Sequence, residues 1–215
     1  MAERRRLLDP VSRISEILFG LIMALTFTGS LSVATSGRED VRSMLIGAIG
    51  CNIAWGLIDA VMYLVTTITA RGRQLAIVRE VRDAAEPAAG RELIADALSA
   101  TVSTPLPESV LEAMRLEVLR LPAPPAQPRW TTDDFLGALG VFLLVVVSTF
   151  PVVVPFILVR QTSTAMRMSN VIALVMLFYC GYQLGRYSHG RPWRLGFAMA
   201  IVGSVLVGIT IALGG

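Results

Sequence analysis

The chain has 215 residues, with nineteen arginines, no lysine, sixteen acids, one histidine and a formal net charge of +3. Its mean hydropathy is +0.65 and 16% of its residues are charged, against roughly 25% in an average soluble domain, which excludes an ordinary soluble globule. The small positive charge does not indicate a nucleic-acid partner, because the arginines sit in loops beside apolar runs.

Those runs cover 14–35, 43–69, 135–159, 168–185 and 195–213. Each approaches or exceeds the roughly 20 residues needed to cross a bilayer core of about 30 Å, and all are too long and unbroken for barrel strands. The expected fold is therefore an all-α integral membrane protein of five transmembrane helices, with a cytoplasmic helical insert between helices two and three. Its parts are 1–70 (N-terminal tail and helices one and two), 71–130 (the insert) and 131–215 (helices three to five). Arginine placement orients it. Arg4, Arg5, Arg6 and Arg13 precede the first span, eight arginines lie in the insert, and Arg186, Arg191 and Arg194 join spans four and five. The opposite loops hold Arg38 with Arg42, and Arg160 with Arg167. The N-terminus and insert are expected in the cytoplasm of a bacterial cell, whose cytoplasmic membrane the chain would span.

In the first span, Glu16, Gly20, Met23, Phe27 and Ser30 form one helical stripe. Glu16 near the cytoplasmic end reads either as a pore-mouth carboxylate or as an interfacial group, and Met23 as a soft ligand or as packing. The tripeptide Ser32-Val33-Ala34 has the look of a signal cleavage site, but the apolar run is long for a signal peptide and other spans follow. In the second span, Asn52, Gly56, Asp59 and Tyr63 share a face. An ionised Asp near the bilayer centre costs about 2.5–3.5 kcal/mol on insertion scales, so Asp59 needs a cation, a proton, a polar partner or water. Met62 is a further soft donor beside it.

The insert carries eight acids against eight arginines. Helical pattern is expected over 74–86, 91–98 and from about Pro107, followed by the proline-rich stretch LPAPPAQPRW as a stiff linker. Glu80, Asp83 and Glu86 are three apart, and Glu108 and Glu112 four apart, which sets carboxylates on neighbouring turns as an oxygen-rich metal site requires, or as any solvated helix with arginine partners shows. Glu112, Met114 and Glu117 add a mixed oxygen and sulfur group. Arg79 and Arg82 are expected to compete with a metal for these acids.

In the third span, Pro151 and Pro155 predict a kink or break. In the fifth, Gly196, Ala200, Ser204, Gly208 and Ala212 form a ridge of small residues for close helix approach. Cys51 and Cys180 read as packing residues and His189 as interfacial. No nucleophile, base and orienter can be assembled from this inventory, so no enzyme is expected.

In this order of elements, and in FGLIMALTFTGSLS, GAIGCNIAWGLIDAVMYL, PVVVPFIL and GFAMAIVGSVLVGITIALGG, the chain resembles the vacuolar iron transporter family. The resemblance implies five transmembrane helices, a metal-binding cytoplasmic insert and a homodimeric pore. The family carries an aspartate in helix one where this chain has Met23, and a glutamate and a methionine in helix two where it has Asn52 and Ala60. Asp59 stands one residue from the latter. The insert's methionine pair is reduced to Ala113-Met114, followed by Glu117.

The reading is thus a homodimeric exporter of Fe(II) or Mn(II), with no permanently bound cofactor, coupled to protons through a membrane carboxylate that alternates between metal and proton. Glu80, Asp83, Glu112, Met114 and Glu117 would collect the ion, Glu16 would admit it, and Asp59, Asn52, Met23 and Met62 would hold it. The alternative is a non-transporting membrane protein of the same fold whose insert binds a protein partner.

Overall fold

The computed structural model describes residues 10–29, 38–99, 102, 104–188 and 190–212. His189, Ser30 and the Ser32-Val33-Ala34 tripeptide lie outside them. The described residues form helices and no strand: α1 (Pro10–Gly29), α2 (Arg38–Asp83), α3 (Pro87–Ser99), α4 (Glu108–Arg120), α5 (Thr132–Leu158), α6 (Thr162–Tyr187) and α7 (Pro192–Ala212). Four stretches are long and apolar enough to cross a membrane, Val41–Asp83, Thr132–Leu158, Thr162–Tyr187 and Pro192–Ile209. The first expected span coincides with α1 over 14–29, and its remainder lies outside the described residues.

Where the sequence suggests a boundary after Thr69, α2 runs on through Arg71-Gly72-Arg73 to Asp83. One interior glycine costs a helix only about 1 kcal/mol relative to alanine, and Ala70, Arg71, Arg73 and Gln74 are all good helix formers. The chain falls into two compact units that divide within this helix. One contains the chain up to Tyr63 and from Asp133 onward, and the other is Leu64–Thr132.

In the first unit, Leu18, Leu21, Ala24 and Leu25 of α1 pack with Val152 of α5 and with Ala173, Leu177 and Cys180 of α6. Close approach depends on glycine. A Cβ on Gly181 of α6 would stand 2.6 Å from the Leu195 carbonyl of α7, and one on Gly196 of α7 would stand 2.9 Å from the Phe178 ring. The fifth-span ridge is only partly used. Gly196 and Gly203 are buried against α6, whereas Ser204 is exposed and Gly208 meets nothing within 4 Å. The reason is angular: a step of four residues turns the helix about 40° beyond a full circle, while the seven-residue step from Gly196 to Gly203 returns to within about 20°.

α5 continues through both Pro151 and Pro155 to Leu158 without a break. Its proline-bearing segment is held by α6, where the buried Ser169 hydroxyl donates to the Val152 carbonyl at 2.7 Å. Phe178, Tyr182, Trp193 and Phe197 form an aromatic cluster joining the end of α6 to the start of α7.

The second unit closes over Val81 of α2, Ile94 of α3 and Leu111 of α4. Its proline-rich segment is strapped along α2 by arginines. Arg71 donates to the Arg129 carbonyl, Arg79 to the Pro125 and Ala126 carbonyls, and Arg82 to Leu121 (2.6 Å) and Val118 (3.3 Å). Prolines cannot build a helix or ladder that would occupy these carbonyls, and three guanidinium groups within about 80° of one another around α2 supply the donors instead. Arg79 and Arg82, expected to contend for carboxylates, are anchors of the backbone.

Gly181→Val should destabilise the protein by about 1–3 kcal/mol through overpacking, visible as a lower thermal midpoint in detergent, whereas Gly208→Ala should leave that midpoint unchanged. Replacing Arg79 and Arg82 together by Ala should accelerate limited proteolysis within 121–129, while cleavage elsewhere keeps its wild-type rate.

Candidate functional site

Three helices of the first unit converge at Val145 of α5. Gly20 of α1 lies so close that a Cβ there would stand 2.8 Å from the Val145 carbonyl, and one on Gly56 of α2 would stand 3.4 Å from the Val145 Cβ and 3.2 Å from the Phe142 carbonyl. Further along α2, Tyr63 lies against Gly137, where a Cβ would come within 2.6 Å of its ring. α2 therefore runs antiparallel to α5, with its stripe of Asn52, Gly56, Asp59 and Tyr63 turned toward the junction.

The arrangement brings two carboxylates together. Glu16, one turn before Gly20, and Asp59, one turn after Gly56, meet side chain to side chain within hydrogen-bonding range. One oxygen of each, Glu16 Oε2 and Asp59 Oδ2, is buried and accepts no hydrogen bond among the described residues. Two negative charges that close repel each other, and a cation between them relieves the repulsion. Glu16 and Asp59, which the sequence presents as separate features, thus lie beside each other.

Seven residues back along α2 lies Asn52, 1% exposed. Its Nδ2 donates to the Ala48 carbonyl at 3.3 Å, leaving Oδ1 buried with no partner among the described residues. At 1.5 Å per residue this oxygen is about 10 Å from the carboxyl pair along the helix. Seven residues along α1 from Glu16 lies Met23, half-buried. Because α1 and α2 run in opposite directions past α5, Met23 and Asn52 share a level. The unit thus offers an oxygen pair at one depth and an amide oxygen, with a thioether at the same height, about two turns further in. Met62 is 51% exposed on the outer surface of α2.

Asp134 is a residue that sequence reasoning missed. It lies in the first turn of α5, 4% exposed and engaged in a polar interaction. The pair Asp133-Asp134 reads from sequence only as acids suited to a helix N-terminus. The signal that separates them is the helical spacing of Asp134 with Gly137, Ala138 and Val141, all buried. Asn170 of α6 also holds a buried oxygen with no partner among the described residues, and no pattern in the sequence pointed to it.

In the second unit the insert residues lie apart in chemistry. Glu112 is closed by arginine: Arg115 donates through Nε at 2.9 Å and Nη2 at 2.7 Å, and Arg91 through Nη1 at 3.2 Å. The Arg115 and Arg91 hydrogen bonds hold its carboxyl down at about 2, well below its ordinary 4.5. Glu80 and Asp83 remain exposed on α2. Met114 and Glu117 line an apolar groove of about 350 Å³ with Ile77, Ile94 and Leu121, and Glu117 pairs loosely with Arg120 at 3.5 Å. Among the described residues no three of His, Cys, Asp and Glu gather into a metal cage.

A family model described as VIT family matches residues 73–215, well over half of the chain. The match begins inside α2, so Glu16, Asn52 and Asp59 precede it. A search of curated proteins finds no match.

Glu112→Gln should speed amide exchange in α4 at pH 7. A carboxyl whose pKa is lowered on folding stabilises the fold fully above its unfolded value, near 4.5, and loses that effect as pH falls through about 2. The difference between wild type and variant should therefore shrink from pH 4.5 downward and vanish below about 2.

Proposed function

Since the chain belongs to the vacuolar iron transporter (VIT) family of metal-ion transporters, we propose that it exports Fe(II) or Mn(II) from the cytoplasm through the junction of α1, α2 and α5. The observation that carries this reading is the meeting of Glu16 and Asp59 inside an apolar unit, with one oxygen of each left unpartnered. A divalent cation supplies what the pair lacks, and carboxylate oxygen suits Mn(II) and Fe(II) alike. When the cation leaves, a proton shared between the two acids takes over the same task. Metal and proton then occupy the pair by turns, which is the chemical basis of exchange.

Asn52 and Met23 form the second station. The amide oxygen offers a neutral ligand and the thioether a soft one, so an ion that has left the carboxylates is held weakly enough to go on. The exposed acids of the second unit, Glu80, Asp83 and Glu117, together with Met114, collect the ion from the cytoplasm. Glu112 takes part only by giving up its arginines. The working form is a homodimer, with Met62 on the surface available to the second copy.

Flux of Fe(II) and Mn(II) into proteoliposomes, with inward and outward pH gradients, tests the proposal. Asp59→Asn and Glu16→Gln should each lower flux by at least about tenfold, the rate equivalent of about 1.4 kcal/mol in the barrier, with the dimer intact by size-exclusion chromatography. Full flux in both variants removes the pair from the path, and no flux from folded wild type under either gradient overturns the export reading.

A further inference from the structure

On the outer surface of the first unit, α1, α5 and α6 leave a side-opening groove of about 550 Å³ between them. Its walls are apolar, built from Ile17, Leu143, Leu144, Val147 and Met176, and Arg13 stands at one end. A smaller cavity of about 220 Å³ adjoins it, sharing Arg13, Ile17 and Leu144 and rimmed by Tyr179, Gln183 and Tyr187. Gln183 donates to the Tyr179 hydroxyl at 3.2 Å, leaving the amide oxygen and the Tyr187 hydroxyl at the rim.

We propose that this groove seats one anionic phospholipid, its phosphate against Arg13 and one acyl chain along α5. Length supports the assignment. On α5 the groove runs from Gly140 to Pro151, about 16 Å at 1.5 Å per residue, which is half of a hydrocarbon core of about 30 Å and so about the reach of one acyl chain. Position supports it too, because Leu143 and Val147 are 46% and 56% exposed, so an acyl chain can enter the groove from the side.

Charge selects the headgroup. Arg13 is exposed and has no ion pair among the described residues. Arg186, Arg191 and Arg194 lie at the same end, since the start of α1 meets the end of α6, and Gly185 of α6 touches Pro192 of α7. Asp133, Asp134, Glu16 and Asp59 lie at the same end and offset these arginines, so the charge that a phosphate in the groove meets is that of Arg13, the arginine lining it. A basic pocket between transmembrane helices beside an apolar groove is the chemistry that takes a lipid phosphate. A zwitterionic lipid fills the same groove but gains less from Arg13, so the site discriminates by headgroup. The inference concerns the lipid-facing surface and stands independently of which ion is carried.

Native mass spectrometry of the delipidated full-length protein, titrated with equal amounts of dioleoyl phosphatidylglycerol and dioleoyl phosphatidylcholine, tests it. The wild type should retain phosphatidylglycerol about fivefold over phosphatidylcholine, the effect of one arginine near a lipid phosphate. Arg13→Gln should bring that ratio close to one while phosphatidylcholine binding persists. Val147→Trp, at an exposed position that tolerates bulk, should reduce retention of both lipids, and glycerol 3-phosphate should not displace them. A ratio unchanged in Arg13→Gln assigns the preference to diffuse attraction and overturns the site, as does wild-type retention in Val147→Trp.

Discussion

Helices in a bilayer gain little from hiding apolar surface, because the lipid around them is as apolar as their own side chains. What brings α1, α2 and α5 together is contact between backbones, and that contact is possible because Gly20 and Gly56 carry no Cβ where they cross Val145. The carboxylates follow from the crossing. Glu16 is one turn from Gly20 and Asp59 one turn from Gly56, on helices running in opposite directions, so the approach of the glycines sets the acids face to face. A larger residue at either glycine would part the helices and leave each acid to the solvation of its own surroundings.

On the proposed reading, the pair stands in for the acids that the family resemblance leads one to expect elsewhere. On that reading, Met23 and Asn52, which the resemblance sets where an aspartate and a glutamate are expected, make a neutral and soft second station, and the charge lies two turns along both helices at Glu16 and Asp59. The negative charge remains near one end of the first unit, the same end that carries Arg13, Arg186, Arg191 and Arg194. Under the proposed export path, a cation entering there would meet its strongest ligands early and its weakest ones deeper, an order that favours passage over trapping.

The helical face of α2 was legible in sequence because spacings of four, three and four residues determine which side of a helix Asn52, Gly56, Asp59 and Tyr63 share. Which helix that face meets was not legible, since periodicity says nothing about partners, and Glu16 and Asp59 therefore read as separate features at different depths. Asp134 was obscured for a related reason: an acid in a first helical turn satisfies a local rule, and its burial depends on neighbours distant in sequence. The continuity of α2 past Gly72 was hidden by a shift in composition. Apolar residues give way to charged ones at Arg71, yet backbone geometry follows helix propensity, which hardly changes there.

Arginine does different work in the two units, and the difference follows from what each unit leaves unsatisfied. In the second unit, prolines between Leu121 and Arg129 leave carbonyls without backbone donors, and Glu112 is an acid partly enclosed by helices α3 and α4. Arg71, Arg79, Arg82, Arg91 and Arg115 are consumed by those acceptors. The planar guanidinium fork suits both tasks, since it can grip two carbonyls or both oxygens of one carboxylate. In the first unit the helices satisfy their own backbones, and the arginines at the end of α6 and the starts of α1 and α7 meet no such demand. Their charge stays available to the membrane surface. Net charge alone conceals this division: a balance of +3 does not tell the arginines that hold carbonyls and Glu112 in the second unit from those left to the surface of the first.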